Sequence, residues 1–344
     1  MLLILGKGDL CHFPYVCLIS IGLQNPDPAL PRENPSPMHP YMNLIRLLLP
    51  CLLWAWLPLR GGAQALPAYH QLETGGYTRT FIVHLPAGYT GQSPLPVVFM
   101  FHGSSGNGEK FFWISGWKEK ADAEGFIAVF PDGLSYCIEE DGRRKQTTKW
   151  NDGKLETYVC PGQALPDDVQ FVRDMVRYLD SAFVIDRRRV FASGFSNGAQ
   201  FVFRLAIEAS DVIAAVAGVG GDLTLSDPVA PRPIPVFQVG GAADPGILER
   251  RGGLPMPSSP EALRTDSLFG PIMDRWVAVL GLGDTYDTQS GDWHYAVGFE
   301  AGGGPYIFAL VKGLEHRYPN GGNNPAGYVA ADRFWRFFSR HPMP

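Results

Sequence analysis

The stretch IDRRRVFASGFSNGAQ, residues 185–200, decides how this chain folds. Arg189 to Ser193 (RVFAS) reads as a buried strand, and the run from Ala199 to Ala209 (AQFVFRLAIEA) reads as a helix. Between them Gly194-Phe-Ser196-Asn-Gly198 matches GxSxG, in which small residues on both sides let the chain turn sharply and hold the serine hydroxyl at the apex. In a chain with 40 glycines the five-residue pattern alone is a weak signal. The strand before it and the helix after it are what single out Ser196 as a nucleophile rather than part of a Gly-rich turn.

Outward from this centre, apolar runs alternate with amphipathic ones. Toward the N-terminus lie Tyr77 to Leu85 (YTRTFIVHL), Leu95 to Phe101 (LPVVFMF) and Phe126 to Phe130 (FIAVF), all of strand character. The last two are continuous apolar runs, as expected of strands buried on both faces of a parallel sheet. Val169 to Ser181 repeats apolar residues at helical spacing behind the acidic pair Asp167-Asp168. Toward the C-terminus, strands are expected at 213–217, 234–239, 293–299 and 306–311. Helical segments are expected within 260–280 and over 326–339. The alternation predicts an α/β fold, a mostly parallel central sheet covered by helices on both faces.

A serine hydroxyl needs a base to take its proton and a carboxylate to orient that base. Only His294, His316 and His341 follow Ser196. His294 falls inside a strand and His341 in the tail, whereas His316 follows the last apolar strand (YIFALVKGLEH), on a loop at its C-terminal end. For the acid, Asp244 ends PVFQVGGAADP, again a strand followed by a small-residue loop, with Asp222 as its competitor. Ser196, Asp244 and His316 in that order form the expected triad. An oxyanion needs backbone N–H donors, expected from Asn197 and from the loop His102-Gly-Ser-Ser-Gly-Asn107, where Ser104 is favoured over Gly103 or Ser105. His102 itself reads as structural.

These segments resemble the secreted polyhydroxybutyrate depolymerase and feruloyl esterase group of α/β-hydrolases. The resemblance is carried by LPVVFMFHGSSGN (95–107), ADAEGFIAVFPDG (121–133), Trp150-Asn151, DDVQFVRDMV (167–176), the 185–200 stretch, PVFQVGGAADP (235–245), HRYP (316–319) and FWRFFSRHP (334–342). It implies an α/β-hydrolase fold, the same triad, no cofactor and a small-molecule or oligomeric ester as substrate. Leu314-Glu315 departs from the small residues usual before the histidine, which bears on the shape of the neighbouring pocket. No linker or polymer-binding module follows the hydrolase segments, so soluble oligomers or aryl and sugar esters are expected over solid polymer. Residues 131–166 show little regular pattern and are expected to set specificity, with Tyr136 and Trp150 as substrate-binding aromatics. A serine peptidase and a catalytically silent polymer-binding protein are the rival readings.

At the periphery, a net charge of −5 and a pI near 5.9 offer no basic field for nucleic acid. Scattered histidines, with neither HExxH nor CxxC, provide no metal site. Met42 to Arg46, the apolar run 47–59 and the small-residue stretch ending at Ala65 read as a signal peptide over 42–65. The expectation is therefore a secreted protein, extracellular or periplasmic, with no membrane attachment after cleavage. Residues 1–41 read as an unstructured leader or an upstream false start, and 66–344 as the catalytic domain. Three of the five cysteines fall before residue 66, which leaves Cys137 and Cys160 to form a disulfide in an oxidising compartment.

Overall fold

The structure, a computed structural model, describes residues 66–140, 142–292, 294–300 and 305–344. The expected leader and signal peptide, and Trp293, lie outside the described residues. In chain order the strands are β1 (Ala68–Thr74), β2 (Tyr77–His84), β3 (Leu95–Phe101), β4 (Ile127–Pro131), β5 (Leu134–Glu140), β6 (Arg143–Lys149), β7 (Ile185–Phe195), β8 (Ala215–Val219), β9 (Val236–Gly241), β10 (Tyr286–Ser290), β11 (His294–Phe299) and β12 (Tyr306–Val311). The helices are α1 (Gly108–Ile114), α2 (Trp117–Glu124), α3 (Asp168–Ala182), α4 (Asn197–Glu208), α5 (Pro245–Arg251), α6 (Pro260–Arg264), α7 (Phe269–Leu280) and α8 (Ala330–Phe338).

Ten strands form one sheet in the order β1-β2-β4-β3-β7-β8-β9-β12-β11-β10. From β4 to β12 every pairing is parallel. The pairs at either end are antiparallel. The period-two alternation of side chains explains why the central strands are apolar throughout. Val97, Phe99 and Phe101 of β3 pack with Val190, Ala192 and Val216 against α3, α4 and α7. Val98 and Met100 of the same strand pack with Phe191 and Ala217 against α1, α2 and α8. A sheet buried on both sides has no polar face to show, hence the continuous runs read in the sequence.

Residues 131–166 depart from expectation. They contain the hairpin β5–β6, a separate two-stranded antiparallel sheet whose register runs from Leu134↔Lys149 to Glu140↔Arg143. Its second strand, RRKQTTK, is exposed over residues 143–146 and polar throughout, so no apolar alternation marks it. Cys137 and Cys160 are joined in a disulfide, Cα–Cα 5.5 Å, tying β5 to the segment that follows the hairpin. The short α1, α2 and α5, together with β1 and β10, also carry too little periodicity to be read in advance. Among the described residues no helix is long and apolar enough to cross a membrane.

Candidate active site

β7 runs straight into Ser196, which sits at φ 53°, ψ −120° before α4 begins. Ser196 and Ser105 (φ 62°) are the two non-glycine residues with positive φ among those described. Such a conformation costs on the order of 1–3 kcal/mol and persists only where the surroundings impose it. Here the neighbours do impose it. The Ser196 N–H donates to the Val219 carbonyl at 2.8 Å, at the end of β8. A Cβ at Gly194 would stand 2.2 Å from the Gly198 carbonyl oxygen, and one at Gly198 would stand 2.3 Å from that of Phe101. Both glycines of GxSxG are therefore required by backbone approach: the first lets the turn close on itself, the second lets α4 start against the end of β3.

His316 reaches the serine from the loop after β12. Its Nε2 is 2.9 Å from Ser196 Oγ, and its Nδ1 is 2.6 Å from Asp244 Oδ2. A carboxylate only accepts, so Nδ1 carries the proton and Nε2 is left to accept from the serine hydroxyl. Asp244 is 6% exposed and caps α5, its Oδ1 accepting from the Gly246 N–H at 2.9 Å. That second bond fixes the carboxylate so that its other oxygen faces the imidazole. The acid and histidine loops touch directly. The Ala243 N–H donates to the Leu314 carbonyl at 2.9 Å, and a Cβ at Gly241 would lie 2.2 Å from that same oxygen. Leu314, the departure noted in the sequence, is fully buried and anchors the histidine loop, while Glu315 is exposed and paired with Arg317.

Asp222, the competing acid, faces elsewhere: it accepts from Gln238 Nε2 at 2.8 Å and from Arg250 Nη1 at 3.0 Å. His294 lies half-buried in β11 and His341 follows α8; neither is brought to Ser196. His102 is fully buried. Its Nε2 accepts the Gly133 N–H at 2.9 Å, so Nδ1 is the protonated nitrogen and donates to the Gly103 carbonyl at 2.8 Å. Burial pushes its pKa below the usual histidine range, in keeping with a neutral ring.

The loop after β3 lies against Ser196, since a Cβ on Gly103 would be 3.2 Å from Ser196 Cβ. Of the candidate donors in it, the Ser105 N–H is committed to the Thr148 carbonyl at 2.9 Å. The Ser104 and Asn197 amides have no acceptor among the described residues, which leaves both free for a ligand oxygen.

Trp150 and Tyr136 require correction. Trp150 is fully buried, stacked on Phe201 at 5.3 Å with Phe101 edge-on at 5.0 Å. Tyr136 is 3% exposed, packed among Ile138 and Leu155. Neither ring offers surface to a substrate. In both, aromatic size marks a core position: Trp150 belongs to the main core beside Phe101 and Phe201, and Tyr136 to a small core of the loop's own.

His316 stands between two clefts. One, of about 200 Å³, is walled by Ser104, Phe111, Ile114, Phe195 and Tyr318. The other, of about 210 Å³, is lined by Asp222, Gln238, Arg250, Ile272 and Phe308. A larger concavity of about 430 Å³ over β11, β12 and α8 holds no member of the triad. Tyr318 could have been noticed in the HRYP segment. Its hydroxyl accepts from Trp117 Nε1 at 2.7 Å and so moors the histidine loop to the core.

A serine, histidine and carboxylate so arranged, on a sharp strand-to-helix turn at the end of a parallel sheet, define the α/β-hydrolase class. Residues 73–270 match the esterase family model described as "Putative esterase". The chain belongs to this family, a family of carboxylic-ester hydrolases. "Putative esterase NocK" of Nocardia uniformis subsp. tsuyamanensis is 30% identical over 235 residues, 67% of this chain and 62% of that protein. Feruloyl esterase B of Piromyces equi is 31% identical, over 51% of this chain and 31% of its own length. The bifunctional acetylxylan esterase/xylanase XynS20E of Neocallimastix patriciarum is 26% identical, over 56% of this chain and 26% of its own. The matches thus span less than two thirds of each of these relatives.

Proposed function

We propose that this protein hydrolyses carboxylic esters through an acyl-Ser196 intermediate. The observation that carries the reading is the continuous hydrogen-bonded path Ser196 Oγ, His316 Nε2, His316 Nδ1, Asp244 Oδ2, with separations of 2.9 and 2.6 Å at its two bonds. In the first half-reaction His316 takes the hydroxyl proton as Oγ attacks the ester carbonyl. The tetrahedral oxyanion is met by the Ser104 and Asn197 amides, and His316 returns the proton to the departing alkoxide. In the second, water gives a proton to His316 and attacks the acyl-enzyme, and the carboxylic acid leaves as Oγ is reprotonated. Asp244 holds the Nδ1–H tautomer throughout and stabilises the imidazolium.

The substrate class is that of soluble aryl or sugar esters, with hydroxyalkanoate oligomers as a second candidate. The apolar wall of Phe195 and the exposed Ile114 beside Ser104 supports an aryl acyl group, and the Asp222 and Arg250 side supports a hydroxyl-rich alcohol. The named activities of the feruloyl and acetylxylan esterase relatives support the same choice. Secretion is supported by the disulfide, which belongs to an oxidising compartment. A fluorophosphonate probe should label Ser196 in the wild type and fail on Ser196→Ala. A folded wild type that takes no label would sink the reading. A panel of feruloyl, acetyl-sugar and 3-hydroxybutyrate oligomer esters then ranks the substrates by kcat/KM.

A further inference from the structure

We infer that Trp150 is a positioning residue that holds both halves of the oxyanion hole in one register. The inference rests on the esterase reading above. The two amides proposed to meet the oxyanion come from separate parts of the chain, Asn197 at the start of α4 and Ser104 after β3; close backbone approach at Gly198 brings the two segments together, and a third segment ties them. Trp150 bonds to both. Its backbone N–H donates to Asn197 Oδ1 at 2.7 Å, and its carbonyl accepts from Asn197 Nδ2 at 3.1 Å, a closed amide pair with the residue that follows the nucleophile. Its indole Nε1 donates to the His102 carbonyl at 3.0 Å, two residues before Ser104. Trp150 and Asn197 are 0% and 4% exposed, so no water competes for these bonds.

The hairpin β5–β6 extends the same grip. The Thr148 carbonyl takes the Ser105 N–H at 2.9 Å, and Thr148 Oγ1 donates to the Gly106 carbonyl at 2.6 Å. Thr147 and Ser105 share a hydroxyl bond of 2.6 Å, and the Gly133 N–H enters His102 Nε2 at 2.9 Å. These bonds turn the Ser105 N–H away from the site, hold that residue at positive φ, and leave the Ser104 N–H free. Segment 133–150 is thus the back wall of the oxyanion hole, and its role is geometric. Misplacing a preorganised donor by a fraction of an ångström weakens the transition state while leaving ground-state binding almost unchanged.

Trp150→Phe keeps the stack on Phe201 and removes only the indole donor. It should lower kcat roughly tenfold, less than the 10²–10³ expected for outright loss of an oxyanion donor, with KM changed less than about twofold. Thr148→Val, at a half-buried hairpin position, removes one hydroxyl bond and should lower kcat in the same sense, by a few-fold. Trp276→Phe is the control. Its indole nitrogen is buried without a partner, and it lies in the α7 core, so kcat should not move. Amide hydrogen exchange of the peptide spanning 102–108 provides a readout independent of activity: it should quicken in Trp150→Phe and Thr148→Val and stay at the wild-type rate in Trp276→Phe. Unchanged exchange and unchanged kcat in both hairpin-side variants would overturn the inference. A raised KM at constant kcat would overturn it differently, by making Trp150 a binding residue. Wild type without esterase activity is a failure of the earlier reading, and the exchange experiment still decides this one.

Discussion

Two regions meet at Ser196, and they were encoded in different ways. The elbow, from β7 to α4, is shaped by backbone contacts over a few residues. Its glycines are present because a Cβ would strike a carbonyl oxygen at 2.2 to 2.3 Å, and that demand leaves GxSxG in the sequence. The segment 131–166 reaches the same site from another part of the fold, through side chains and single backbone bonds to residues 31 or more positions away, such as Gly133 to His102 or Trp150 to Asn197. Those bonds need only one donor or acceptor at a given point in space, and many sequences can supply it. The first region is legible as a motif; the second has no motif to read.

The sharpest test of the difference is at the elbow itself. Ser196→Ala should abolish turnover, by on the order of 10⁵ to 10⁶ in kcat, with Tm almost unchanged. A residual rate within a hundredfold of wild type would mean that the nucleophile lies elsewhere. Gly198→Ala should fail to give active folded protein, since the new Cβ has backbone oxygens of both Phe101 and His102 within 2.5 Å and no flexible side chain to displace.

Next in size is the acid. Asp244→Asn should lower kcat by roughly 10⁴, because an amide no longer fixes the Nδ1–H tautomer of His316. The corresponding Asp222→Asn should leave kcat within a few-fold of wild type, its carboxylate being engaged by Gln238 and Arg250. Equal losses in the two variants, measured on one aryl ester, would break the assignment.

On the other side of the comparison, Cys137→Ser combined with Cys160→Ser should reduce stability by about 3 kcal/mol, from the loop entropy of a bridge spanning 23 residues. Denaturant midpoints read this directly. Cys137 sits in mid-hairpin, paired with Gln146, and none of the bonds from Thr148 and Trp150 runs through the disulfide, so kcat should fall only a few-fold. A loss comparable to Asp244→Asn would mean that the whole hairpin must be covalently held for the oxyanion loop to form.

The smallest effect is on acid stability. Burial lowers the pKa of His70, His102, His294 and His341 below the ordinary histidine value of 6.5. Below that value the unfolded chain binds more protons at these four positions than the folded one, so stability falls as pH drops from 7.5 through 6.5 and continues downward. His102 ties this to the site, because a proton on Nε2 would face the Gly133 N–H it now accepts. Melting temperatures that stay level or rise from pH 7.5 to 5.5 would contradict the argument.

The sequence by itself determined the parallel α/β core and pointed to Ser196 and His316, with Asp244 or Asp222 between them, because strands buried on both faces must be apolar throughout and a tight turn must be small. Tyr318 and Leu314 were within reach of the same reading, standing beside His316. Only the tertiary structure decided that Asp244 rather than Asp222 meets the imidazole, since both follow a strand and a small-residue loop and differ only in where the loop points. It also decided that Trp150 and Tyr136 turn inward, for burial and ligand binding draw on the same aromatic side chains. Covalent neighbours constrain a turn along the chain, whereas the proposed oxyanion hole draws on segments 102–107, 133–150 and 196–197, and the distances among them exist only once the sheet has brought those segments together.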